Sequence, residues 1–130
     1  MYVLTIDQRH SRSSDDRVPA LLDALAGVPC VTAFERTAGD EVQGLLDHPA
    51  AARSALLVAL RAGEWHCGLG VGGVDDESYA SGTRAGRGPA YLAARTAVED
   101  AKSMPGSVAV RVPAEAGEDM LSEWNRAWPR

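Results

Sequence analysis

The sequence predicts an α+β domain whose elements run strand, helix, strand, strand, helix, strand, followed by a further helix, strand and helix. Three observations carry this. Short apolar runs of strand length alternate with segments whose apolar residues recur at helical spacing, glycine and proline punctuate the boundaries, and a Gly-Asp pair links the second and third strands.

Tyr2 to Ile6 mixes aromatic, β-branched and apolar residues and ends at the polar cluster from Asp7 to Asp16, so it reads as a buried first strand. Val18, Leu21, Leu22 and Leu25 then fall at helical spacing, with Asp15 or Asp16 as the cap and Gly27 as the stop. Val28 to Thr37 and Glu41 to Leu46 form two strands around the tight turn Gly39-Asp40. Proline at position 49 suits the first turn of the alanine- and leucine-rich helix Ala50 to Arg61, and Gly63 ends it.

Trp65 to Gly72 alternates larger residues with glycines, leaving one face bare for close approach of another element, and reads as a central strand. Asp75 to Gly88 is a glycine- and serine-rich loop, and Pro89 opens a helix that ends near Ser103. Ser107 to Val112 alternates as a half-exposed edge strand does, and Glu118 to Trp128 reads as a terminal helix. Right-handed crossovers then place the first strand beside the hairpin, giving a ferredoxin-like βαββαβ arrangement with an added C-terminal strand and helix: an antiparallel sheet with its helices on one face.

At 130 residues and 45% hydrophobic content the chain is expected to form a single domain, residues 1–130, with its own core. A formal net charge of -5 disfavours nucleic acid as a partner while leaving room for a small phosphorylated ligand. Cys30 and Cys67 lack Cys-x-x-Cys spacing and read as buried thiols of a reducing compartment rather than zinc ligands or a disulfide. The N-terminus has no leader pattern, and the longest apolar-rich stretch, Ser54 to Ala62, is broken by Arg61, so a cytoplasmic protein without a membrane span is expected. Trp124 and Trp128 near the C-terminus are expected to seal the domain or to face a protein partner or second copy.

The chemistry concentrates at two acids. Asp7 closes the first strand and Asp40 sits at the hairpin tip, so neighbouring strands bring the two carboxylates together, although taken singly Gly39-Asp40 could be only turn chemistry and Asp7 only a strand-end residue. Two such acids repel unless a cation stands between them, and Mg²⁺ or Mn²⁺, held by one or two carboxylates together with substrate phosphates, suits the pair. Glu41 is a third ligand or a base. Arg9, Ser11 and Arg12 follow Asp7 with guanidinium and hydroxyl groups that match phosphate oxygens, although the same loop could simply cap the first helix; His10 between them reads as a surface histidine. Arg84 and Arg87 lie in a second cationic, glycine-rich segment that enters a helix and could hold an anion through backbone N–H groups. That segment is not a Walker A sequence, and Gly68, Gly70, Gly72 and Gly73 open no helix, so they form no dinucleotide fingerprint.

Asp7 with a Ser-Arg after it, Thr37-Ala38-Gly39-Asp40-Glu41-Val42-Gln43-Gly44-Leu45-Leu46, Gly68-Leu69-Gly70-Val71-Gly72, and Gly86-Arg87-Gly88-Pro89-Ala90 with Ala94-Arg95 occur in that order over residues 2–103. In these motifs the chain resembles the SatD family of bacterial proteins. A wider resemblance is to the palm domains of nucleotidyl cyclases and diguanylate cyclases, whose hairpin motif Gly-Gly-Asp-Glu-Phe is similar to Ala38 to Val42, with alanine at the first glycine. The resemblance implies a palm-like fold in which Asp7 and Asp40 hold Mg²⁺ on a nucleoside triphosphate, and any activity would be metal-dependent nucleotidyl transfer or cyclisation. No lysine is matched to a triphosphate clamp. Relatives often carry a C-terminal helical extension that resembles a DNA-binding segment, and none is expected within this chain.

Overall fold

A computed structural model describes residues 1–9, 15–113 and 117–128. Its described elements, in chain order, are β1 (Tyr2–Gln8), α1 (Val18–Leu25), β2 (Thr32–Arg36), β3 (Glu41–Leu46), α2 (Pro49–Ala62), β4 (Trp65–Val71), a 3₁₀ turn (Thr83–Ala85), α3 (Pro89–Ala101), β5 (Val108–Arg111) and α4 (Gly117–Arg126). The fold is α+β, with a five-stranded mixed sheet in the order β2-β3-β1-β4-β5. No described helix is long and apolar enough to cross a membrane.

β1 pairs antiparallel with β3 on one side and with β4 on the other, which explains why it is apolar on both faces. Tyr2, Leu4 and Ile6 join Val42 and Leu46 of β3 and Cys67, Leu69 and Val71 of β4 in the larger core, under Leu21 and Leu25 of α1 and Ala52, Ala55, Leu56 and Ala59 of α2. Val3 and Leu45 point the other way and pack with Ala90, Tyr91 and Ala94 of α3. Cys67 is fully buried, and burial alone pushes its thiol up to about 12, which leaves it inert.

The expectation of an antiparallel sheet with helices on one face is corrected in two respects. β5 pairs with β4 in parallel, Cys67 opposite Val108 and Leu69 opposite Val110. The connection between them, α3, lies on the face opposite α1 and α2. The reason is steric. The first face of β4 is already filled, whereas on the second face Gly68 and Gly70 carry no side chains, and a Cβ at Gly70 would lie 2.1 Å from the Ala90 carbonyl oxygen and 2.5 Å from the Ala94 nitrogen. The helix backbone rests directly on the strand.

β2 begins at Thr32 rather than at Val28. Pro29 has no N–H to donate to a ladder, and regular pairing with β3 starts beyond it, with the Val31 N–H bonded to the Leu45 carbonyl at 2.8 Å. At the other end of the hairpin the expected turn is present: Gly39 has φ +55 and the Glu41 N–H closes on the Ala38 carbonyl at 2.9 Å. α1 has Arg17 rather than an aspartate at its cap position, while Asp16 accepts the Val18 N–H at 3.1 Å from one residue earlier. Near the C-terminus Trp124 is buried with its ring 6.1 Å from that of Tyr2, and Trp128 meets Trp124 edge-on at 5.2 Å beneath the Arg53 guanidinium. The Trp124 ring thus seals the core.

Gly70→Ala forces a methyl group into the α3 backbone and should lower stability by about 1–3 kcal/mol. Gly73→Ala, whose Cβ would meet nothing within 4 Å, should leave the urea midpoint close to wild type. Equal midpoints for the two variants would show that α3 does not sit on the bare face of β4.

Candidate functional site

The register of β1 builds one end of the candidate site. Asp7 stands opposite Glu41 of β3 and His66 of β4, so the three residues form a row on the α3 face of the sheet. The hairpin tip folds back onto this row: the Asp40 carbonyl accepts the Gln8 N–H at 3.4 Å, and the side chains of Asp7 and Asp40 are close enough to share a hydrogen bond. The two predicted carboxylates therefore meet. Glu41 takes a hydrogen bond from the Thr37 hydroxyl, which holds its carboxylate toward the hairpin.

A residue not singled out in the sequence completes this end. Lys102, immediately after α3, places its Nζ 3.2 Å from Asp7 Oδ2 and 3.0 Å from Glu99 Oε1. It is the only lysine in a chain that otherwise uses arginine, and that bias was the available signal. Its ammonium is held above its ordinary pKa, first by the hydrogen bond it donates to Glu99 and then by Asp7. Asp7 nevertheless stands above its own ordinary value, because burial and the Asp40 carboxylate outweigh Lys102.

Buried Gln8 fixes the exit of the loop that follows β1. Its Nε2 donates to the Asp15 carbonyl at 2.8 Å and its Oε1 accepts the Arg17 N–H at 3.1 Å, which ties both ends of the loop to the strand. Arg9 begins that loop with its N–H bonded to the Glu64 carbonyl at 2.7 Å and its side chain exposed at the Asp7 end of the sheet. Ser11 and Arg12, with His10, lie outside the described residues.

Arg84 and Arg87 are placed elsewhere. They line an open cleft of about 730 Å³ near the start of α3, shared with Gln43, Tyr91 and Arg95 and with Arg111 of β5; Asp7, Asp40 and Glu41 do not line it. The cleft extends along α3 as far as Arg95 and Thr96, and Lys102 lies six residues beyond, about 9 Å at a rise of about 1.5 Å per residue. The expected backbone anion cradle is also absent from residues 84–87 and 90–92. The Arg84 N–H donates to Glu35 Oε1, that of Arg87 to Ser78 Oγ, and that of Ala90 to the Gly73 carbonyl. The N–H groups of Ala85, Gly86, Tyr91 and Leu92 likewise end on nearby carbonyls. Any anion here would be met by guanidinium groups. From the cleft a hydrogen-bonded line runs to β1, in which the Thr83 hydroxyl donates to Gln43 Oε1 and Gln43 Nε2 donates to Thr5 Oγ1, each at 3.0 Å.

The donor set at Asp7 and Asp40 is all oxygen, which fits a hard cation completed by ligand phosphates, with Glu41 as a neighbouring third carboxylate. Among the described residues no group of three or more His, Cys, Asp or Glu side chains could by itself hold a metal ion. Comparison of the chain with protein-family models, curated proteins and solved structures finds no match.

The raised pKa of Asp7 has a definite sign. The folded state binds this proton more tightly than the unfolded state, so the associated stability is present at low pH and is lost as pH climbs from the ordinary 3.8 through the raised value. Asp40→Asn removes one source of the shift, and the Asp7 carboxyl, followed by NMR titration, should then ionise at lower pH. Identical titration in both proteins would mean that the two carboxylates do not interact.

Proposed function

We propose that this chain is a palm-like domain of the SatD kind that binds a nucleotide or other phosphorylated small molecule through a divalent metal held by Asp7 and Asp40. The observation that carries the reading is the meeting of these two acids, 33 positions apart in sequence, at the end of β1 in a half-buried setting beside Lys102. The element order βαββαβ and the strand order β2-β3-β1-β4, antiparallel throughout, also support a palm-like arrangement.

On this reading Mg²⁺ or Mn²⁺ would polarise phosphoryl oxygens and offset their charge. Asp7 and Asp40 hold the ion, Glu41 is a further ligand or a base restrained by Thr37, and Lys102 stands ready to exchange its contact with Asp7 for a phosphate oxygen. Arg9, Ser11 and Arg12 on the loop after β1 are the remaining phosphate contacts of the proposal; Arg84 and Arg87, which line the separate cleft, are not among them. If the domain is catalytic, metal-dependent nucleotidyl transfer or cyclisation is the chemistry these groups serve.

One observation favours a second reading, a non-catalytic regulatory module that keeps the fold without the chemistry. The Lys102–Asp7 ion pair supplies a resident cation where a metal-dependent enzyme needs space for its ion. In that case a protein partner or a second copy would be met near α4. Trp124 itself faces the core, and only the half-buried Trp128 remains to contribute.

Thermal unfolding separates the readings. With Mg²⁺ or Mn²⁺ and a nucleoside triphosphate at about a hundred times its dissociation constant, the metal-binding domain gains about 2.7 kcal/mol and its Tm rises above that with the triphosphate in EDTA, and Asp40→Asn abolishes this metal-dependent rise. Flat melting curves across a panel of nucleotides with both metals would rule out the metal-bound nucleotide and leave the regulatory module.

A further inference from the structure

The cleft beside α3 is not accounted for by the carboxylate pair. Tyr91 and Arg95 are one helical turn apart on the same side of α3. Gly86 packs against the Tyr91 ring so closely that a Cβ there would lie 2.1 Å from it, and Gly86 has Arg84 two residues before it and Arg87 directly after it. Arg84, Arg87 and Arg95 thus line one cleft with Tyr91. Among the described residues no carboxylate pairs with any of them, whereas Arg17, Arg36 and Arg111 each hold an acid within 3.0 Å. Asp75 also lines the cleft and forms no ion pair with these arginines.

Unpaired guanidinium groups held together repel one another, and a chain of net charge -5 has ample acids with which to offset them. Glu35 accepts the Arg84 N–H and Asp75 lines the cleft, yet among the described residues neither forms an ion pair with these guanidinium groups, which leaves their charge available to an anion from outside. The backbone N–H groups of residues 84–87 and 90–92 are already bonded, so the guanidinium groups are the main donors. Gln43 offers an amide fixed by Thr5 and Thr83, and Leu92, 69% exposed, gives the cleft an apolar edge. A volume of about 730 Å³ is that of a small-molecule site.

We propose that this cleft is a second, metal-independent site for a polyphosphate-bearing small molecule, gripped by Arg84, Arg87 and Arg95. Guanidinium forks match phosphate oxygens in pairs, so several of them favour a ligand with consecutive phosphates over a single small anion. The proposal does not rest on metal binding at Asp7 and Asp40, and the two readings fail separately.

Calorimetric titration in EDTA tests it, with tripolyphosphate and ATP as probes and sulfate at matched ionic strength as competitor. Wild-type protein should bind tripolyphosphate without metal, with affinity falling steeply as salt rises. Arg84→Ala/Arg87→Ala should weaken binding about tenfold or more, Arg95→Ala should also weaken it, and Arg61→Ala, which removes the same charge at the distant end of α2, should not. Asp40→Asn should bind as wild type. ATP binding more tightly than tripolyphosphate would assign the apolar edge to an organic group, and equal binding would assign the site to the polyphosphate alone; both support the proposal. It is overturned if tripolyphosphate fails to bind in EDTA, if sulfate displaces it with equal effect, or if the arginine variants bind as wild type while circular dichroism shows them folded.

Discussion

The close seating of α3 on β4 governs the rest of this face of the molecule. Gly68 and Gly70 present bare backbone, so the helix axis approaches more closely than any side chain would allow, and its direction is set by contact with the strand. The start of α3 is thereby fixed at the β4 end near Gly72, where the loop bearing Arg84 and Arg87 must pack, and its far end delivers Lys102 to the level of Asp7. A wider separation would loosen the grip of both ends at once. The same contact accounts for the parallel pairing of β5, since a helix lying across that face returns the chain beside β4 in the same direction.

The charge arrangement follows from this seating. One end of the face gathers Asp7, Asp40 and Glu41 with Lys102, and the other gathers Arg84, Arg87 and Arg95, which form no ion pair among the described residues, beside Arg111, which pairs with Asp100. Burial amplifies the imbalance at the acidic end, because a partly excluded solvent screens like charges less effectively, whereas the arginines of the open cleft are exposed. The raised pKa of Asp7 records this at the acidic end. Between the two ends, Thr83, Gln43 and Thr5 form a hydrogen-bonded line with little exposure, a rigid floor rather than a mobile loop.

Much of the fold was legible in the residues. Helical spacing of Val18, Leu21 and Leu25, proline at the start of α2 and α3, and the Gly39-Asp40 turn all correspond to local backbone preferences that no distant contact overrides. The start of β2 was misread because the apolar pattern of Val28 and Cys30 outweighed the missing donor of Pro29. The bare face of Trp65 to Gly72 was visible as well, but not what would lie on it. For the candidate site, the union of Asp7 with Asp40 could be anticipated from strand adjacency, whereas the distance of Arg84 and Arg87 from that pair could not.

The sequence by itself determined the elements, the turn that presents Asp40 and the burial of β1, because each depends on the conformational limits and polarity of residues near one another in the chain. Only the tertiary structure decided that α3 crosses the opposite face, that β5 runs parallel, that Lys102 meets Asp7 and that three arginines share a cleft with Tyr91. Those outcomes depend on which surfaces are already filled when an element docks. A property of the packed sheet decides them, and it is written in no single stretch of the chain.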